Sequence, residues 1–455
     1  MPLNGAASAS LSTIEFAELM SAVGLFPGAE TVAVAVAVSG GVDSMTLLAL
    51  ASDWAVETGA EIAALTVDHG LRPESRAEAE QVAAWCSIRG IGHETLVWVG
   101  EKPARGVQAA ARTARYALLE DWCRAQGYRD LLVAHSQNDQ VETFLMRMSR
   151  GSGIDGLAAM PLVSDHDGVR LIRPFLCVPR SRIDATAAAR SLETIIDPSN
   201  LDSRYARIRM RAKVQQLVTH GVRLEAIADT VRIFGHMRRT RERAIAAVAN
   251  DIVDFYPEGY AVIARAGLCG AETELLRGLV SAMLTSVGGL DYPPRRERLD
   301  RLMKDLLHNR EFLPRTLGNC VICVRGKNFL IRREHRTISH IIAVDPGRRV
   351  VWDGRFAIVF VSDSDRVNRT AGYQLGALGE CGWRQIVSLT DRTELSEYRG
   401  IPGPVRYSLP AIWQNGKVVE VPHLRYKSDQ IVEKIIENAH FSPKTPLNGQ
   451  LFRVV

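Results

Sequence analysis

Seven cysteines in 455 residues are too few, too scattered and odd in number to be a disulfide framework, and they suit a reducing compartment. The one C-x-x-C, Cys320-Val-Ile-Cys323, lies in an apolar strand-like run with no second pair nearby, which argues against a metal or redox role. No apolar run approaches the roughly 20 residues of a membrane-spanning helix. The N-terminal MPLNGAASAS has no basic stretch followed by an apolar core, so no signal peptide is expected, and the cytoplasm is the expected compartment. No Gly-Lys pair is followed by Ser or Thr, which excludes a Walker A loop. Aromatics are sparse at 6%, there are no repeats or low-complexity tracts, and the net charge is only +5. Hydrophobic content of 46% and charged content of 24% are those of an ordinary globular chain.

What is there begins with Ser39-Gly-Gly-Val-Asp-Ser44, directly after the apolar run Val32–Val38. A strand ends in a turn with two glycines and two serines, and the helical pattern Met45–Leu50 follows. Gly40 and Gly41 let the backbone turn with its N–H groups pointing inward. With Val42, they lead into a helix whose free N–H groups and positive dipole end favour an anion. The cradle suits a pyrophosphate group. The Ser39 and Ser44 hydroxyls can donate to phosphate oxygens, and Asp43 can hold a magnesium ion bridging them. A formal G-x-G-x-x-G at Gly151–Gly156 follows a helical segment rather than a strand, and so fails the context required of a dinucleotide site.

The first 160 residues alternate regularly. Strands at 32–38, 62–67, 94–99 and 130–135 are each followed by a helix, at 43–57, 74–89, 106–126 and 138–149. That pattern predicts an α/β fold with a doubly wound parallel sheet. Ligands in such sheets bind at the carboxyl ends of the strands. This places Ser39–Ser44, Val67–Arg72 and Ala134–Thr143 at one edge. Residues 223–250 read as one long helix, 251–340 as mixed helix and strand, and the rest as β-rich. The expected domains are therefore 1–222, a linker with a middle domain over 223–345, and a small β-rich domain over 346–455.

At the third of those edge segments, Asp139 and Glu142 stand at i and i+3 at the start of a helix and share a face. Such a pair can grip an ammonium ion, hold a metal or act as a base. Asp68 could bind magnesium or ribose, and His69 and His135 sit at the same strand ends. On helix 106–126, Arg112 and Arg115 share a face and could reach phosphate or nucleic acid. Between Arg204 and Arg243 there are eleven Lys/Arg and three Asp/Glu, a basic band that suggests a polyanionic partner.

Ser39–Ser44 resembles the loop of the PP-loop ATP pyrophosphatases, which form adenylates and release pyrophosphate. Within that superfamily the chain resembles the tRNA(Ile)-lysidine synthetases over roughly residues 30–215. The resemblance rests on Val67–Arg72, Ala111–Tyr116, Ala134–Thr143, Arg150–Met160, Arg173–Leu176, and Asp197–Asp202 through Arg207–Arg211. It departs where the family usually has His-His-x-Asp-Asp and this chain has His135-Ser-Gln-Asn-Asp139, and where Ile208 replaces a usual Asn. The resemblance implies ATP and Mg2+ as cofactors, and L-lysine and an isoleucine tRNA with a CAU anticodon as partners. ATP would adenylate the C2 oxygen of the wobble cytidine, and lysine would then displace AMP. It implies catalytic roles for Asp43, Asp139 and Glu142, with Asp43 as the metal ligand. Nucleotide contacts would come from Ser39–Ser44, Asp68, His69 and His135. The remaining substrate contacts would come from Arg112, Arg115, Arg207, Arg209 and Arg211, with Arg204 and the 223–243 helix adding cationic surface for tRNA. No membrane or protein partner is implied, and a homodimer is allowed. Two alternatives stay open: a PP-loop tRNA thiolase, against which the isolated Cys86, Cys123 and Cys177 argue, and a non-catalytic RNA-binding protein, against which the intact loop argues.

Overall fold

The computed structural model describes residues 9–24, 32–100, 102–103, 106–166, 168–195, 206–308, 311–362, 372–390, 395, 398–428, 434–443 and 454. Its contacts divide the chain into one compact unit of residues 1–242 with 450–455 and another of residues 243–449.

In the first unit, α1 (Thr13–Ala22) precedes β1 (Ala33–Ala37). The chain then alternates through α2 (Val42–Thr58), β2 (Glu61–Asp68), α3 (Ser75–Ile88), β3 (Gly92–Val97), α4 (Val107–Gln126), β4 (Asp130–Leu132) and α5 (Gln137–Met148). The sequence places the elements from β1 to α5 to within a few residues, but not α1. A short α6 (Ile154–Leu157), the strands β5 (Val163–His166) and β6 (Val169–Ile172), and the helices α7 (Arg180–Ala189) and α8 (Ala206–Thr219) follow, and α9 (Leu224–Ile252) begins in this unit and ends past residue 242. The sheet order is β3-β2-β1-β4-β6-β5. Five strands run parallel, and β5 returns antiparallel to β6 at the edge. That edge hairpin went unassigned from sequence because Val163-Ser-Asp-His166 is mostly polar. The chain steps outward from β1 through β2 to β3, then restarts on the other side of β1 with β4. The switch point therefore lies between β1 and β4, where sheets of this kind open a crevice at their carboxyl ends.

The inner strands β1, β2, β4 and β6 are largely buried on both faces, as parallel strands covered by helices must be. Alternate residues of β1 point opposite ways: Val34 and Val36 join one apolar cluster with Leu47, Leu50, Val82 and Phe175, while Ala35 joins another with Leu65, Leu119 and Leu131. Helix α1 closes the first cluster. A capping box ties Ser12 to Glu15, Arg182 of α7 pairs with Glu15 at 2.8 Å, and the fully buried Phe16 meets the Phe175 ring edge-on at 6.1 Å.

In the second unit, among the described residues, strands Val253–Tyr256, Tyr260–Ala264, Asn328–Arg333, Cys320–Arg325 and Arg315–Leu317 form one antiparallel sheet in that order, packed on helices Thr273–Gly288 and Arg296–His308. Two further small sheets, of five and three strands, lie between Ile342 and Phe441 and share a core around Trp352, Phe356, Leu375 and Ile412. Cys320 is fully buried in the first of these sheets, as its apolar run implied.

Because Phe16 fills the core beneath α1, Phe16→Ala should destabilise the first unit by about 3–5 kcal/mol in chemical denaturation. A loss below about 1 kcal/mol would show that α1 is not part of the cooperative fold.

Candidate active site

The loop after β1 is shaped by its own serines. The Ser39 N–H donates to Ser44 Oγ at 3.1 Å, and Ser44 Oγ donates to the Gly41 carbonyl at 3.0 Å. Gly40 is held at φ +79°, and a Cβ on it would lie 2.7 Å from Ile195 Cδ1. Only glycine fits there. Gly41 caps α2 through its backbone alone, and the N–H groups at the start of the helix face outward from its end.

Asp43, in the first turn of α2, receives Arg180 Nη1 on Oδ2 at 2.8 Å. Its Oδ1 is buried and has no hydrogen-bond partner. Burial pushes the Asp43 pKa up to about 6, against the pull of Arg180, with Asp139 and Asp184 adding repulsion. A partly buried carboxylate with one bare oxygen at a helix N-terminus fits a divalent cation that takes its other ligands from phosphate and water. Among the described residues no group of three or more His, Cys, Asp or Glu side chains forms a protein-only metal cage.

Across the switch point, α5 begins with the carboxylate pair. Ser136 caps the helix: its N–H and Oγ reach Asp139 Oδ2 at 2.8 and 3.1 Å. Asp139 Oδ1 takes Arg207 Nη2 at 2.7 Å. Glu142, with its side chain 3% exposed, takes Arg207 Nε at 3.0 Å and Arg211 Nε at 2.9 Å. Burial works to raise the Asp139 pKa, yet Arg207, His135 and the Ser136 hydrogen bonds together hold it below the usual carboxylate range. His135, directly before the cap, is kept neutral by burial and then by the nearby Arg173 guanidinium, and its Nδ1 is buried without a partner.

The other expected residues lie around this centre. Asp68 ends β2, and its Oδ1 accepts from the Gly70 N–H at 2.8 Å and Ser75 Oγ at 2.6 Å, so it also pins the loop it starts. His69 meets the Trp98 ring edge-on at 6.1 Å, and its Nδ1 is buried without a partner. Arg112 and Arg115 flank one ring, with their guanidiniums 5.1 and 5.3 Å from the centre of Tyr116. Arg209 is exposed on α8, two residues from each of the paired arginines. Arg204 and the Asp197–Asp202 segment lie outside the described residues.

Arg207 and Arg211, read from the sequence as cations for tRNA, are thus closed on the carboxylates that were read as a substrate grip. Part of the basic band is likewise internal. Arg241 pairs with Asp155 Oδ2 at 2.5 Å, and Arg238 donates to the Asp155 carbonyl at 3.1 Å. Two residues beside the site were given no role from the sequence. Arg180 pairs with Asp43 across 137 positions of sequence, and Arg173 is a buried guanidinium. No local pattern reports a pairing that distant, whereas Arg173 opens the Arg173–Leu176 segment that carries the family resemblance.

The PP-loop domain family matches residues 12–218. A tRNA(Ile)-lysidine synthase of Wolbachia pipientis wMel is 33% identical over 420 residues, which cover 89% of this chain and 93% of that protein. The chain belongs to the tRNA(Ile)-lysidine synthase family. Its likeness to the synthase of Ruegeria pomeroyi is 32% over 85% of this chain and 87% of that protein. To the synthase of Methylobacterium nodulans it is 40% over 66% of this chain and 88% of that protein.

As a member of the tRNA(Ile)-lysidine synthase family, the chain has structural uses for its two departures after the fourth strand. Ser136 is the N-cap of α5. Asn138 Oδ1 accepts the N–H of Arg180, the first residue of α7, at 3.1 Å. Asn138 therefore anchors the helix that delivers Arg180 to Asp43. Gln140 makes two hydrogen bonds with the Met160 backbone, both at 2.8 Å, and Arg147 donates to the Gly156 and Ala159 carbonyls, both at 2.9 Å. The glycine-rich 151–160 segment is thus fastened to α5 and forms no dinucleotide cradle.

The raised Asp43 pKa has a stability sign. A carboxyl group whose pKa is higher folded than unfolded favours folding most when protonated, and it gives up that contribution as pH rises through about 6. Asp43→Asn should therefore raise Tm relative to the parent at pH 7.5, and the difference should shrink at pH 5. An equal Tm difference at both values would show that the Asp43 carboxylate is not a buried charge.

Proposed function

We propose that the protein ligates free L-lysine to C2 of the wobble cytidine, position 34, in the CAU anticodon of an isoleucine tRNA. The product is lysidine, formed through an adenylated tRNA, with release of AMP and pyrophosphate. The observation that carries this reading is a buried carboxylate pair facing a pyrophosphate-type loop across one switch point, in a chain of the lysidine synthase family.

The C2 oxygen of cytidine is a poor leaving group until it becomes an AMP ester. In the first step it attacks the α-phosphorus of ATP, and the bond to the β-phosphate oxygen breaks. The loop Ser39–Ser44 and the end of α2 bind the departing pyrophosphate through N–H groups and hydroxyls. Asp43 would hold magnesium, which would supply charge neutralisation for that group. Asp68, His69 and His135 are placed at the neighbouring strand ends for the rest of the nucleotide.

In the second step the ε-nitrogen of lysine attacks C2, and AMP leaves. Asp139 and Glu142 hold the ammonium end and accept the proton that it must lose before attack. The guanidiniums of Arg173 and Arg112 give the amino acid's carboxylate a counter-charge nearby. When the ammonium takes the carboxylates, Arg207 and Arg211 are freed to meet tRNA phosphate, joining Arg115 and Arg209. That exchange accommodates both expected roles of α8. We assign further tRNA contacts to residues 223–345 and 346–455, beyond the catalytic domain 1–222. Among the described residues no helix is long and apolar enough to cross a membrane. We infer a cytoplasmic reaction from the proposed tRNA substrate.

Incubation with ATP, radiolabelled lysine and an isoleucine tRNA transcript bearing CAU should label the tRNA, and an unlabelled tRNA would refute this reading. Asp43→Ala should abolish tRNA-dependent pyrophosphate release. Glu142→Gln should raise the lysine KM by about tenfold or more while moving the ATP KM much less. Equal shifts of the two would remove Glu142 from the lysine subsite.

A further inference from the structure

Arg173 is charged, 6% exposed, and bonded to no carboxylate among the described residues. A buried guanidinium in that position is costly unless something orients and offsets it. Its Nη1 donates to the Pro161 carbonyl at 2.8 Å and to Ser164 Oγ at 3.2 Å. Its Nε is buried with no partner.

The serine leads outward. Ser164 and His166 are two residues apart on β5 and so point to the same face. Ser164 Oγ lies 3.2 Å from His166 Nε2, and His166 Nδ1 lies 2.7 Å from Glu120 Oε1 on α4. The donors and acceptors can be assigned in one consistent way. The serine oxygen accepts from Arg173 and spends its single hydrogen on His166 Nε2. The imidazole is then the neutral Nδ1–H tautomer, and that hydrogen goes to the Glu120 carboxylate. Guanidinium, hydroxyl, imidazole and carboxylate form one directional chain whose bonds polarise one another. Around it, Arg124 donates to the His166 carbonyl at 3.3 Å and pairs with Asp121 at 2.6 Å. The Tyr116 ring, carrying Arg112 and Arg115, stands 6.5 Å from the imidazole.

We propose that Ser164, His166 and Glu120 are positioning residues: a relay running from α4 through the edge hairpin that orients the Arg173 guanidinium toward the carboxylate of the amino-acid substrate. This rests on the lysine-ligating reading above. The relay supplies Arg173 with a counter-charge three hydrogen bonds removed, and no direct ion pair takes its buried Nε. It also gives a function to β5, an antiparallel edge strand whose polar sequence contributes little to the core.

The test uses the full-length protein with ATP, lysine and isoleucine tRNA. Ser164→Ala should raise the lysine KM by about tenfold, leaving the ATP KM and tRNA-dependent pyrophosphate release within about twofold. Ser164→Thr, which keeps the hydroxyl, should restore the parent value. Arg173→Lys should raise the lysine KM as well, and adding Ser164→Ala to it should cost nothing further, the mark of residues acting as one unit. The relay is refuted by an unchanged lysine KM in Ser164→Ala, or by lysine and ATP KM rising together with a fall in Tm, as expected of a merely structural contact. If Arg173→Lys leaves lysine KM unchanged, Arg173 does not hold the carboxylate and the relay falls with it. If the parent protein transfers no lysine, the functional reading has failed instead.

Discussion

Glu142 puts a carboxylate that is nearly sealed from water one helical turn from a second one, Asp139. In a medium of low effective dielectric, two such charges repel strongly and each is poorly solvated, so neither persists ionised without cations at contact distance. Much of the site answers that demand. Helix α8 returns to lay Arg207 across both groups and Arg211 on Glu142 alone. Ser136 binds Asp139 while capping the helix that carries it. The same logic operates on the other side of the switch point, where α7 brings Arg180 to Asp43. The catalytic unit is a parallel sheet whose carboxyl edge would be electrostatically unstable without the arginines supplied by later helices.

How much of this was readable in the sequence follows from the range of each interaction. The strand–loop–helix at 32–58 was legible because its causes are local: an apolar run of strand length, glycines where the chain must turn, and helical periodicity after them. The acids at 139 and 142 were legible for the same reason, since three-residue spacing on a helix decides which side chains are neighbours. The partners of those acids were not. Arg180 and Arg211 are 137 and 69 positions from the carboxylates they touch, and a basic band looks the same whether it faces solvent or closes a salt bridge. Helix α1 was hidden by weak amphipathicity, the apolar Ile14 being exposed and away from the buried Phe16 and Met20, and its N-terminal end is held by a capping box and by Arg182. The edge hairpin was hidden because β5 is polar on the face that carries Ser164 and His166. The structure shows these residues occupied in a hydrogen-bonded chain to Arg173 instead of in the core.

Arg207 and Arg211 read as RNA-facing cations by composition and as internal ion pairs by geometry, and binding thermodynamics allows both. A guanidinium and a substrate ammonium compete for the same carboxylate oxygens. Lysine captured by Asp139 and Glu142, as proposed, would displace two cations whose side chains are 37% and 49% exposed, and another anion could then receive them. A tRNA phosphate backbone is such an anion. If it accepts the guanidiniums, occupation of the site by RNA lowers the cost of admitting lysine, and by linkage lysine strengthens the hold on RNA to the same degree. Free lysine alone meets a filled site. The carboxylate pair would then discriminate by timing as well as by charge, because the ammonium becomes the better occupant only when the nucleic acid that it will modify is already in place.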